Sequence, residues 1–127
     1  MSNGTFVPIA GLLSPVIRSI LEDRNNAIWI GTRVGLNRWK NGKLSAYTTA
    51  EGLASNEVLA MVEDRQGRLW IGTNGGLSLL QGGSFTTFAA RNQLAGAEVR
   101  SLARARDGSL WAVAGQAIVH LKAWDTA

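Results

Sequence analysis

EDRNNAIWIGTRVGL, Glu22 to Leu36, returns as EDRQGRLWIGTNGGL, Glu63 to Leu77, with nine of 15 positions identical. A third version, RARDGSLWAVAGQAI, runs from Arg104 to Ile118 and keeps four of the 15 positions of the second, in register, among them Gly108, Leu110 and Trp111. Trp29, Trp70 and Trp111 are therefore evenly spaced, one to each version. Self-similarity at a fixed period of this length marks one supersecondary unit repeated along the chain.

The same shift aligns the flanks. Ile17, Val58 and Val99 form one column; Ile20, Met61 and Leu102 another; Leu12, Leu53 and Leu94 a third. Phe6, Tyr47 and Phe88 make an aromatic column. Within the first unit, four short runs have strand character: about Val16 to Glu22, Ile28 to Thr32, Leu36 to Lys40 and Leu44 to Thr48. Asn25-Asn26, Gln66-Gly67 and Asp107-Gly108 separate first from second strands, and Asn41-Gly42 and Gly82-Gly83 separate third from fourth. Such dipeptides tolerate the positive φ of tight hairpins. No segment with helical period competes. Four strands in a unit of about 40 residues is the pattern of a β-propeller blade.

Composition agrees. The chain has 127 residues, 46% hydrophobic and 17% charged, which excludes a disordered polypeptide. Its 15 glycines against two prolines suit many turns between short strands. No stretch approaches the roughly 18 apolar residues of a spanning helix, so no helical membrane segment is expected. The absence of cysteine excludes a disulfide scaffold and a thiolate zinc site. The net charge of +4 comes from scattered basic residues, the densest group being Arg100, Arg104 and Arg106, diluted by Glu98 and Asp107. A nucleic-acid surface needs a clustered basic stripe with stacking aromatics, so no nucleic-acid partner is expected. The opening Met-Ser-Asn-Gly-Thr-Phe has no basic region followed by a long apolar run, so no secretory signal is expected in these residues.

The segments WIGTRVGLNRW and WIGTNGGLSLL, each after an E-D-R tract, resemble the two-component regulator propeller repeat. Unit three departs from the pattern: Trp111-Ala112-Val113-Ala114 replaces Trp-Ile-Gly-Thr, and Ala117 replaces Gly35 and Gly76. The resemblance implies a sensor region of a bacterial hybrid two-component protein, recognising an extracellular or periplasmic ligand, often a carbohydrate fragment. It implies a periplasmic location if the chain derives from such an ectodomain; the residues themselves fix no compartment.

The expected architecture is all-β, one module over residues 1–127, with a closing strand at about 3–8 and blades at about 14–49, 55–90 and 96–127. One, four, four and three strands make twelve, or three blades' worth. Propellers close with about four to eight blades. The expectation is therefore a homodimer of six blades, with the strand near Thr5 to Val7 of one chain completing the third blade of its partner. A fragment of a longer propeller, natural or engineered, is the alternative origin.

Single residues read as follows. Trp29, Trp70 and Trp111 are expected as wedges between blades, ahead of a role as a stacking platform. Gly31, Gly72, Gly35 and Gly76 mark close backbone approaches or bulges within tight strands, and with no helix following, the Gly72–Gly76 stretch is no phosphate loop. Asp23 and Asp64 are expected to bind backbone amides of the next turn. Glu22-Asp23 and Glu63-Asp64 point to opposite faces of a strand and do not converge as an acid–base pair. His120 is a lone blade histidine; neither a metal nor a cofactor is expected. By analogy with other propellers, ligand would meet the face carrying the turns between second and third strands, where Arg33, Asn74 and Gln116 occupy equivalent positions. Arg18, Glu57, Glu98 and Arg100 lie nearby at the starts of first strands. These seven are the candidate ligand-binding residues for a polar small molecule or an oligosaccharide. The function expected is non-catalytic sensing; the alternative is a structural or engineered self-assembling fragment without a specific ligand. A metal-dependent propeller lyase is disfavoured by the single histidine. Trp124 is a candidate contact to the partner chain.

Overall fold

The computed structural model describes residues 4–88 and 98–121. It contains three antiparallel sheets in a row. The first has β1 (Ile17–Glu22), β2 (Ile28–Thr32), β3 (Leu36–Lys40) and β4 (Lys43–Tyr47), in that order. The second has β5 (Val58–Glu63), β6 (Leu69–Thr73), β7 (Gly76–Gln81) and β8 (Ser84–Thr87). The third has β9 (Val99–Arg104), β10 (Leu110–Ala114) and β11 (Ala117–Leu121). Each is a propeller blade, and β1, β5 and β9 lie side by side at the inner edge. The turns follow the expected chemistry: Asn26, Gly67 and Gly108, one column of the repeat, all have positive φ between strands one and two of their blades.

The core is two seams. Strand alternation sends one set of side chains to each neighbouring blade. At the first seam, Trp29 and Leu36 of blade one bury against Val58, Met61, Leu69 and Ile71 of blade two. At the second, Trp70, Leu77 and Phe88 bury against Val99, Leu110 and Ala112. An aromatic from the end of each of the first two blades covers its tryptophan: Trp29 and Tyr47 have ring centres 5.9 Å apart, and Trp70 stacks on Phe88 at 5.8 Å. The second strand of one blade approaches the inner strand of the next closely enough to require glycine. A Cβ on Gly72 would sit 2.4 Å from the Val99 carbonyl oxygen, and one on Gly31 would sit 2.6 Å from Val58 Cγ1. The wedge and close-approach readings hold at both seams. At Trp111, which has no following blade among the described residues, they do not: it is 41% exposed and lies flat on His120, centres 3.9 Å apart.

Two features depart from the strand pattern of the repeat. Residues 4–10 form no strand in the single chain, and Phe6 is fully exposed. An extended segment needs a neighbouring ladder to become a strand, and this one has none beside it. A 3₁₀ turn over Thr49–Glu51 adds an element that the strand pattern does not predict. It is held by a capping box, in which the Ala50 N–H donates to the Thr48 hydroxyl at 3.2 Å and the Thr48 N–H to the Glu51 carboxylate at 2.6 Å. Leu94, Trp124 and the outer limits of the expected closing strand and of blades two and three lie outside the described residues.

Candidate functional site

The turn from β2 to β3 is built by Thr32. Its hydroxyl donates to the Gly35 carbonyl at 2.8 Å and accepts from the Val34 N–H at 3.1 Å. Thr73 repeats this between β6 and β7, with the Gly76 carbonyl at 2.8 Å and the Gly75 N–H at 3.1 Å. Two equivalent turns thus carry different exposed side chains, Arg33 and Asn74. The third turn loses both the threonine and the glycine. Gly115 supplies its positive φ instead, and Gln116 is exposed at its tip.

Each of these turns is tied to the start of its own first strand. The N–H groups of Arg33, Asn74 and Gly115 donate to the carbonyls of Val16, Glu57 and Glu98 at 3.1, 3.0 and 2.9 Å. The seven expected residues therefore share one end of the three blades. Among them the structure brings two pairs into contact: Arg18 with Glu57 at 3.4 Å, bridging blades one and two, and Arg100 with Glu98 at 3.9 Å. Arg100 also donates to the Gly115 carbonyl at 2.8 Å. Arg33, Asn74 and Gln116 lie on the turns of three separate blades.

Bulges are present, but on the first strands that face Gly31 and Gly72 and not at the glycines themselves. Pairing skips one residue near the start of each first strand, at Arg18, Leu59 and Arg100. A bulge adds twist and re-aims the side chain it carries. Two of the candidate residues occupy it, and both are arginines.

The opposite end is structural. Asp23 Oδ1 accepts the N–H groups of Asn25 and Ala27 at 2.8 and 3.0 Å, and Oδ2 accepts Trp29 Nε1–H at 2.8 Å. Asp64 repeats this with Gln66, Arg68 and Trp70 at 2.9, 2.9 and 2.8 Å, and adds Arg68 Nε–H at 2.6 Å. The amide contacts match the expectation; the indole contacts go beyond it. Their signal is an aspartate six positions before tryptophan in units one and two, replaced by Ala105 in unit three. This end also holds a cleft of about 320 Å³ across the second seam, lined by Asp64, Arg65, Arg68, Asp107 and His120 among others. Ion pairing already occupies Asp64 and Arg68. Among the described residues no group of three His, Asp or Glu side chains is placed to hold a metal ion.

Burial alone would raise the carboxyls of Asp23 and Asp64. The indole and turn-amide hydrogen bonds outweigh it and hold both below the ordinary carboxylate value. A depressed folded-state pKa gives stability that is present above the unfolded value and lost as pH falls through the folded one. Denaturation midpoints should be level from about pH 5 to 8 and fall below about pH 4. Asp23→Asn with Asp64→Asn should flatten the acid limb; an unchanged limb in that variant would assign it to other groups.

The two-component regulator propeller model matches residues 11–33 and 52–75. These segments are two-component regulator propeller repeats. Among solved structures, the extracellular domain of a hybrid two-component system from B. thetaiotaomicron aligns over 84% of this chain at 25% identity, with a TM-score of 0.74. A second such domain from that organism aligns over 90% at 18% identity and a TM-score of 0.75. Virginiamycin B lyase from Staphylococcus aureus aligns over 91%, at 18% identity and a TM-score of 0.61, and this chain covers 44% of it. At 18% identity a likeness shows the fold alone. The chain spans 15% and 16% of the length of the two extracellular domains. No curated protein matches it.

Proposed function

We propose that the chain is a non-catalytic, sensor-type propeller module that binds a polar small molecule or carbohydrate at the rim bearing Arg33, Asn74 and Gln116. The observation that carries this is the pair of equivalent turns at Thr32 and Thr73, one frame presenting a cation and the other an amide. A scaffold that holds its geometry and varies its exposed polar tips is suited to recognition. Arginine and amide side chains together offer fixed donors and an acceptor to hydroxyl or carboxylate groups. The repeats and the likeness to hybrid two-component ectodomains support a sensory role outside the cytoplasm. The lone His120 is stacked on Trp111, which supports binding rather than turnover.

In this reading two copies complete a six-bladed ring and gather six such turns around one mouth. The structural alternative, self-assembly with no ligand, draws on the exposed apolar faces of blades one and three. A glycan array with thermal-shift confirmation separates them. The sensing reading predicts a saturable hit whose affinity drops about tenfold in Arg33→Ala and in Asn74→Ala, the loss of roughly one charge-assisted or amide hydrogen bond. Absence of any hit among neutral and acidic oligosaccharides and polar metabolites would contradict it.

A further inference from the structure

The outer faces of blades one and three are the two halves of the protein's own internal seam. Leu36 and Leu77 are buried on the outgoing faces of blades one and two; their equivalent on blade three, Ile118, is 72% exposed beside Trp111. Val58 and Met61 are buried on the incoming face of blade two; their equivalents on blade one, Ile17 and Ile20, are 42% and 69% exposed.

The connection between blades adds a second element. Tyr47 precedes Val58 by the same interval as Phe88 precedes Val99. The chain thus leaves an aromatic on the tryptophan of one blade just before it builds the next. Phe6 precedes Ile17 by that interval too, and it is fully exposed. A blade one that docks on a blade three brings Phe6 to the uncovered Trp111.

Charge continues the series. Across the first seam Arg24 pairs with Glu63 at 3.6 Å, and its guanidinium donates to the carbonyls of Asp64 and Arg65 at 3.3 and 2.7 Å. Across the second, Arg65 donates to the Arg106 carbonyl. The next members are Arg106 on blade three and Glu22 on blade one, both exposed.

We propose that blade three of one chain receives blade one of a second copy, with Phe6 of that copy stacked on Trp111, its Ile17 and Ile20 against Ile118, and its Glu22 paired with Arg106. The proposal rests on the six-bladed reading above and names its interface. Two identical junctions related by a two-fold axis close the ring, so both apolar faces are covered. One residue sets this junction apart. Val113 replaces the close-approach glycines Gly31 and Gly72, so the seam between copies is wider where β10 meets β1 of the other copy than at the two seams within each chain. The association is correspondingly weaker than the internal packing.

Sedimentation equilibrium at micromolar concentrations should give a single species of twice the 13.6 kDa chain mass. Ile118→Glu should give 13.6 kDa with an unchanged far-ultraviolet strand spectrum. Val113→Gly should tighten the dimer. Arg106→Glu and Glu22→Arg should each weaken it about tenfold, since every pair occurs twice, and the double charge reversal should recover it. The charge pair keeps the test open if Ile118→Glu fails to fold. A wild-type mass of 13.6 kDa, an open-ended series of masses, or a double reversal without recovery would overturn the proposal. A wild-type mass of 13.6 kDa would overturn the six-bladed reading together with this interface, whereas a dimer whose double reversal does not recover would overturn this interface alone.

Discussion

Asp64→Ala is expected to destabilise the protein by about 3–5 kcal/mol, the usual result of removing one partner of a buried ion pair. The Asp64 carboxylate accepts two turn amides, the Trp70 indole and the Arg68 guanidinium. The Asp64 and Arg68 side chains are almost wholly buried, so water does not replace the lost oxygen atoms. The substitution loosens the β5–β6 turn, takes the carboxylate from a buried cation, and frees the indole that fixes the second seam. Total stability of a small domain is about 5–15 kcal/mol, so much of the population would unfold at physiological temperature. Urea denaturation should show the midpoint falling with little change in slope. Asp23→Ala should lose less, because Asp23 is partly exposed and carries no buried guanidinium. Equal losses at the two sites would assign the effect to the turn amides alone.

Trp70→Ala is expected to cost a similarly large amount when made by itself, about 3–5 kcal/mol. Trp70 is completely buried and stacks on Phe88 over blade three, so its removal leaves a cavity bounded by two blades that are joined on their inner edge. Trp111→Ala, at the equivalent position, should change unfolding of the dilute, dissociated chain by about 1 kcal/mol or less, because that ring is half-exposed and stacked on His120. Asp64 and Trp70 share a hydrogen bond, so the double variant should lose at least about 1 kcal/mol less than the sum of the singles. Strict additivity would show that the indole contact contributes nothing.

Much of this seam is legible in the sequence. The repeat period places β2 and β3 at their observed limits, because the tryptophan, the turn dipeptide and the Gly-Leu step recur with them. Gly72 reads as a close approach or a bulge because it is a glycine within a tight strand. The Asp64–Trp70 bond is written in the same repeat, but a spacing of six crosses a turn and says nothing until the hairpin register brings the indole back to the carboxylate. The bulge at Arg18 is hidden for a similar reason. It depends on how β1 pairs with β2, and a single skipped residue leaves the apolar pattern of the strand intact. The Thr48-to-Glu51 capping box is a local motif that strand periodicity masks.

The candidate rim is legible as positions and not as a surface. Equivalent residues in a repeat fall on equivalent turns, which places Arg33, Asn74 and Gln116 together at one end. Whether side chains on neighbouring blades touch depends on blade spacing, which is set by the packing of Trp70 on Val99 and not by the turns. Arg18 and Glu57 meet because the first strands are adjacent at the inner edge.

The Asp–Trp bracket at each internal seam underlies both the fold and the acid sensitivity. Hydrogen exchange of the five indole N–H groups, followed by nitrogen-15 correlation spectra, tests it directly. The two slowest signals should be those of Trp29 and Trp70, each accelerated by substitution of its own aspartate. Five indoles exchanging at one common rate, or two slow signals indifferent to Asp23→Ala and Asp64→Ala, would contradict it.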